Sequence, residues 1–111
     1  MASYDKVYEL VRELKETPEY KEYQKAKQDI MANENALSIL KDYRKLQVST
    51  EAMYISGKEP GEKERAELAR IQEIIKMHGP IQRYMQAEDR IMRIMADIHK
   101  ILYDSLNLLE I

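Results

Sequence analysis

Apolar side chains recur every three or four residues along most of the chain, and Pro, Gly or Asn interrupts the pattern at each boundary. This spacing is typical of amphipathic α-helices, whereas side chains in strands alternate. The pattern predicts an all-α fold of about five helices, with the long third and fifth helices packing in an antiparallel bundle. A single helical domain is expected over residues 1–111. The predicted helices cover about 3–15, 18–32, 33–56, 62–78 and 81–107.

Capping residues mark several of these boundaries. Thr17 followed by Pro18 is typical of a helix start, because the hydroxyl caps the first turn and proline suits the first helical position. Asn33 or Asn35 is expected to cap the third helix. His78 falls in the last predicted turn of the fourth helix, where a partial positive charge would suit the helix dipole.

The third helix carries two separate apolar stripes, which predicts that it contacts neighbours on two sides. The first stripe holds Ile39, Leu40, Tyr43, Leu46, Met53 and Tyr54. The second α3 stripe, as we name it below, holds Leu37, Val48, Ala52 and Ile55.

The fifth helix has more apolar surface than four shorter helices can cover. Its charged residues lie within roughly 120° of arc, and nearly all the rest of its circumference is apolar. At about 1.5 Å per residue the helix is about 40 Å long, so part of it should extend beyond a domain of this size. We therefore expect a homodimer, and the candidate interface residues are Ile91, Ile94, Met95, Ile98, Ile101 and Leu102.

Composition excludes several kinds of function. The chain contains no cysteine, which removes disulfides, thiolate nucleophiles and cysteine-ligated metal or iron–sulfur sites. Its formal net charge is −2, which argues against nucleic-acid binding. No apolar run is long enough for a membrane span or a secretory signal, so we expect a cytoplasmic protein without membrane insertion. No cofactor or metal site is expected.

Two polar residues fall on the apolar arc of the fifth helix. Glu88 and His99 are therefore candidates for buried polar side chains. For Glu88, pairing within the fold, contact with a ligand or partner, and general acid–base catalysis are all open. For His99, a packed or interface position competes with a metal-ligating one. Helical spacing puts the two residues about three turns apart, so they cannot form a catalytic dyad.

The order of several short motifs resembles the YlbF/YmcA/YheA family of small helical bacterial proteins, with the compact YheA type nearest in character. The resemblance covers nearly the whole chain. It rests on Tyr4-Asp5, Thr17-Pro18-Glu19-Tyr20, Ala26-Lys27, Asn33 with Ala36, Leu40, Tyr43, Arg44 and Gln47, Gly57-Lys58, and Tyr84 with Ala87-Glu88.

This resemblance implies an all-helical protein that associates through its long helices. It also implies a non-enzymatic regulatory adaptor linked to competence, sporulation and biofilm formation. Family members of this kind form a complex that assists the endoribonuclease RNase Y in messenger processing. Some bind an iron–sulfur cluster through cysteines, a property that cannot apply to this cysteine-free chain.

Three functions follow as hypotheses. The first is an interaction protein that binds itself and other family members or RNA-processing proteins. The second is an RNA-associated factor that binds nucleic acid directly through Arg83, Arg90 and Arg93. The third is an enzyme that uses Glu88, which would need a cleft and a second polar group beside it.

Overall fold

The computed structural model describes residues 3–109, and every regular element in that range is an α-helix. The predicted all-α fold is therefore confirmed. Each helix begins and ends within a few residues of its predicted limits, as expected for boundaries inferred from spacing. The helices are α1 (Asp5–Lys15), α2 (Pro18–Met31), α3 (Glu34–Ile55), α4 (Glu62–Lys76) and α5 (Gly79–Ser105).

Side-chain caps fix the starts of α2 and α3. The backbone N–H of Tyr20 donates to the Thr17 hydroxyl at 3.2 Å, and the N–H of Ala36 donates to Asn33 Oδ1 at 3.0 Å. Each bond satisfies a donor that the first helical turn leaves without a partner. Asn33, rather than Asn35, is thus the cap of α3.

His78 caps the start of α5 instead of closing α4. Helix α4 ends at Lys76, and the backbone N–H of Ile81 donates to His78 Nδ1 at 3.3 Å. His78 therefore lies beyond the end of α4, and its expected place in the last turn of that helix is wrong. The imidazole acts here as an N-terminal cap of α5.

The chain divides into two compact units. The α3/α4 unit, residues 27–83, contains the last turn of α2, the two helices that name it and the start of α5. Its core is aliphatic. The core forms because the apolar stripes of α3 and α4 pack against each other and are both removed from water. The buried apolar residues of this core are Ile30, Ala36, Leu40, Ile71, Ile75 and Ile81.

Only one of the two α3 stripes is covered within its unit. Leu40 is buried, and four of its five companions on the first stripe are half-buried. On the second α3 stripe Val48, Ala52 and Ile55 are exposed.

The α1/α5 unit contains α1, most of α2 and α5 from Tyr84 onward. Ala26 and Ala87 are its buried residues among those described. An ion pair of 2.8 Å joins Arg90 to Glu22, and the rings of Tyr23 and Tyr84 lie 5.7 Å apart. These contacts hold α2 against α5. The expectation that residues 1–111 form one domain stays a prediction.

Candidate interaction surface

Helix α5 has two apolar sides in the α1/α5 unit, and only one of them is covered. Ile91, Ile94 and Ile98 are half-buried, together with the buried Ala87. Next to them runs a second line with spacings of three and four residues, so its members share one face. All five members of this open α5 line, as we call it, are exposed: Met92, Met95, His99, Leu102 and Leu106.

The charged residues of α5 lie on the side away from the open α5 line. At 100° per residue, Asp89, Arg93, Asp97, Lys100 and Asp104 fall opposite Leu102 and Leu106. Neighbouring turns carry opposite charges, and Lys100 pairs with Asp104 at 3.0 Å. This stripe is the solvated side of the helix, which leaves the open α5 line as its unpartnered apolar side.

Helix α1 adds a second exposed apolar surface to the same unit. None of its residues is fully buried, although its apolar side chains follow the spacing of one face. No residue of α1 was among the candidate interface residues. The exposed apolar residues of α1 are Val7, Tyr8, Leu10 and Val11, and the exposed Tyr4 directly precedes the helix.

A groove lies where α1 and α2 meet α5. Its volume is about 220 Å³, and its exposed wall is entirely apolar. The aliphatic stem of Lys15 completes that wall, as long side chains often do on apolar surfaces. We name this feature the α1–α5 groove; it is lined by Val11, Leu14, Lys15, Tyr20, Ile91, Ile94 and Met95.

The structure therefore places the six candidate interface residues in two different settings, in or beside the groove and on the exposed surface. Ile91, Ile94 and Met95 line the α1–α5 groove, and Ile98 is half-buried beside them. Ile101 and Leu102 are exposed. Ile94 was expected at an open edge of the arc, but it lies against α1. Met92 and Leu106 were not among the candidates. Their exposure depends on which side of α5 is covered by α1.

Glu88 is half-buried rather than buried. The Tyr84 hydroxyl donates to Glu88 Oε2 at 3.0 Å, one helical turn away on α5. Burial raises the pKa of Tyr84 above the ordinary value for tyrosine, and hydrogen bonds to Tyr23 and Glu88 raise it further. The arrangement keeps the phenol protonated as a donor to the carboxylate. This geometry favours pairing within the fold over catalysis as the role of Glu88.

His99 is exposed in the single chain, so the expected burial is not met there. Its ring stacks on Tyr103, with centroids 5.1 Å apart and planes 21° from parallel. Among residues 3–109, no polar or charged side chain is fully buried.

Two of the three arginines in the RNA hypothesis are engaged in ion pairs. Arg90 pairs with Glu22, and Arg93 pairs with Asp89 at 2.9 Å. Each pair offsets a positive charge that phosphate would otherwise meet. The geometry therefore gives no support to a basic nucleic-acid surface at these residues.

Within the described range, no group of three or more His, Asp or Glu side chains is placed to hold a metal ion. No helix between residues 3 and 109 combines the length and the apolar character that a membrane span requires.

Replacing Tyr84 with phenylalanine is expected to lower the free energy of unfolding by about 1 kcal/mol at pH 7, the usual contribution of a hydrogen bond. The pKa of Tyr84 is raised in the folded chain, so its stabilising effect is fully present below about pH 10, where an unfolded tyrosine ionises. That effect is lost as the pH rises through the folded pKa. The difference between wild type and Tyr84→Phe should therefore shrink above pH 10.

Urea unfolding at pH 7 and pH 10.5 measures this difference. Tyr54→Phe is the matched control, because Tyr54 is exposed and makes no comparable pair. Equal losses for both variants at pH 7 would show that the bond between Tyr84 and Glu88 contributes nothing.

Known proteins resemble this chain over nearly its full length. The family model described as "Control of competence regulator ComK, YlbF/YmcA" matches residues 3–107. A UPF0342 protein of Halothermothrix orenii is 35% identical over 108 residues, which cover 97% of this chain and 92% of the relative. A UPF0342 protein of Clostridium tetani is 33% identical over 107 residues, or 96% of this chain and 92% of the relative. A third, from Shouchella clausii, is 32% identical over 104 residues, or 94% and 88%.

Proposed function

The chain belongs to the YlbF/YmcA family, which is linked to control of a competence regulator, and we propose on this basis that it is a non-enzymatic interaction protein that works as a homodimer. The observation that carries the proposal is the exposed apolar surface of the α1/α5 unit. Monomeric proteins rarely leave large contiguous apolar patches open, and such patches mark interaction sites.

The apolar character of this surface suits association with a second copy. The exposed residues of α1 and the open α5 line supply the apolar centre of such an interface. A twofold homodimer is the commonest closed oligomer, and it covers the same surface on both copies at once.

The second α3 stripe gives the proposed dimer a surface for another protein. Val48 and Ile55 are 68% and 87% exposed, and they lie in the other unit. A dimer formed through α1 and α5 would present two such stripes. This supports an adaptor role in the cytoplasm, with other family members or RNA-processing proteins, including RNase Y, as candidate partners. Binding through protein contact fits the net charge of −2 better than direct RNA binding does.

Sedimentation equilibrium tests the homodimer. The native chain should have twice the monomer mass at about 100 µM, a concentration at which even a dimer of micromolar Kd is mostly associated. A chain that stays monomeric there would contradict the proposal.

A further inference from the structure

The α1–α5 groove and the exposed end of α5 belong to the same unit and share one face of the helix. Met95 is common to both, since it lines the groove and lies on the open α5 line. Leu102 and Leu106 follow it along that line, two and three turns further on. The unit thus contains an apolar groove, and it also carries two large apolar side chains that do not line that groove.

We propose that a second copy of this chain completes the α1–α5 groove, with the partner's Leu102 and the partner's Leu106 entering it and the exchange being reciprocal. The inference rests on the proposed homodimer and specifies its contact. Reciprocity follows from twofold symmetry, in which each residue contact occurs twice.

Symmetry limits how two α5 helices can meet. In a parallel twofold pair, each residue lies opposite its own number, so Leu102 would never reach the level of Met95. In an antiparallel pair, residue numbers rise along one helix and fall along the other. The numbers of any two facing residues therefore add up to the same value. An axis that passes between Ile98 and His99 sets Met95 opposite the partner's Leu102, and Ile91 opposite the partner's Leu106. Two of the three α5 residues that line the groove, Ile91 and Met95, then each face a leucine of the partner.

Neighbouring registers fit less well. A shift of one residue in one direction would set the partner's Ser105 against Ile91, leaving a polar group on an apolar wall. A shift in the other direction would bring Ile91 to the level of the partner's Asn107, which lies past the end of α5 and has a φ of 53°. The charged stripe does not interfere with the antiparallel pairing, because it lies on the opposite side of α5. The pattern of apolar and polar residues along α5 therefore favours this register over its two immediate neighbours.

The cysteine-free chain allows a direct test by disulfide formation. A chain carrying Met95→Cys is coexpressed with a differently tagged chain carrying Leu102→Cys, and the purified protein is oxidised mildly. The mixed disulfide should be the main cross-linked species. Each variant alone should cross-link poorly, because seven residues separate its two sulfurs by about 10 Å along the axis, beyond the Cα separation of about 4.4–6.8 Å that a disulfide needs.

A second variant tests the position of the axis independently. His99→Cys lies beside the axis, so this single substitution should form a disulfide with its own copy. Asp97→Cys, on the charged stripe, is the matched control and should stay reduced.

The outcomes separate this inference from the proposed function. A dimer in sedimentation that gives no mixed disulfide, or one in which Leu102→Cys links mainly to itself, overturns the antiparallel contact and leaves the homodimer intact. The antiparallel contact is also overturned if Asp97→Cys forms a cross-link and His99→Cys forms none. A monomeric native chain overturns the homodimer and this inference together.

Discussion

Replacing Leu102 and Leu106 together with lysine is expected to convert the dimer to a monomer without loss of helix. Each leucine gives roughly 1.5–3 kcal/mol when it is buried, and twofold symmetry removes each one twice. Since every 1.4 kcal/mol changes Kd about tenfold, four such losses should weaken the dimer by at least about 10,000-fold. Both side chains are more than half exposed in the single chain, at 53% and 63%, so its internal packing should not change. Sedimentation equilibrium measures the association, and circular dichroism measures the helix content.

The matched control makes the same chemical change on the other exposed apolar surface. Val48→Lys with Ile55→Lys alters the second α3 stripe at two side chains that are more exposed than the two leucines. This variant should remain a dimer. A monomeric Val48→Lys/Ile55→Lys variant beside a dimeric Leu102→Lys/Leu106→Lys variant would place the interface on α3.

Local sequence was sufficient to predict the helices. Spacing of three and four residues defined all five elements, and Thr17 and Asn33 cap the helices they were expected to cap. These features depend on neighbours along the chain, so they are visible without a structure. His78 shows the limit of this approach. It lies between two helices, and the residue at which α4 ends decides which of the two helices it caps.

The candidate surface was only partly predictable. A helical wheel gives the direction of a side chain but not the element that covers it. Ile94 and Leu102 both fall on the apolar arc of α5, yet α1 approaches the side of Ile94 and leaves Leu102 open. Glu88 and His99 were expected to be buried for the same reason. Glu88 is half-buried and His99 is exposed, because their burial depends on how other helices pack against α5, which the pattern of α5 does not contain.

The same packing explains which pair of substitutions isolates association. A lysine at Ile94 would charge the wall of the α1–α5 groove, and any loss of association would be mixed with damage inside the chain. Leu102 and Leu106 avoid this because they lie outside the groove lining of their own chain.

Truncating Ile81 to alanine is expected to destabilise the chain by about 2–5 kcal/mol, the usual cost of removing most of a buried aliphatic side chain. Ile81 has no exposed surface and lies at the start of α5, in the core of the α3/α4 unit. The substitution keeps the backbone N–H that donates to His78, so the cap remains and the loss reports packing alone. Marginal stability makes a loss of this size a large part of the total.

Urea unfolding measures the effect, at one fixed protein concentration because association adds to apparent stability. Ile55→Ala is the matched control: Ile55 is 87% exposed, and its truncation should change the free energy of unfolding by less than about 0.5 kcal/mol. Similar losses at both positions would mean that the α3/α4 unit is not packed around Ile81. Ile81 also anchors the start of α5 in this core. If Ile81 is not packed there, the first turn of the helix that carries Met95, Leu102 and Leu106 is not held in place.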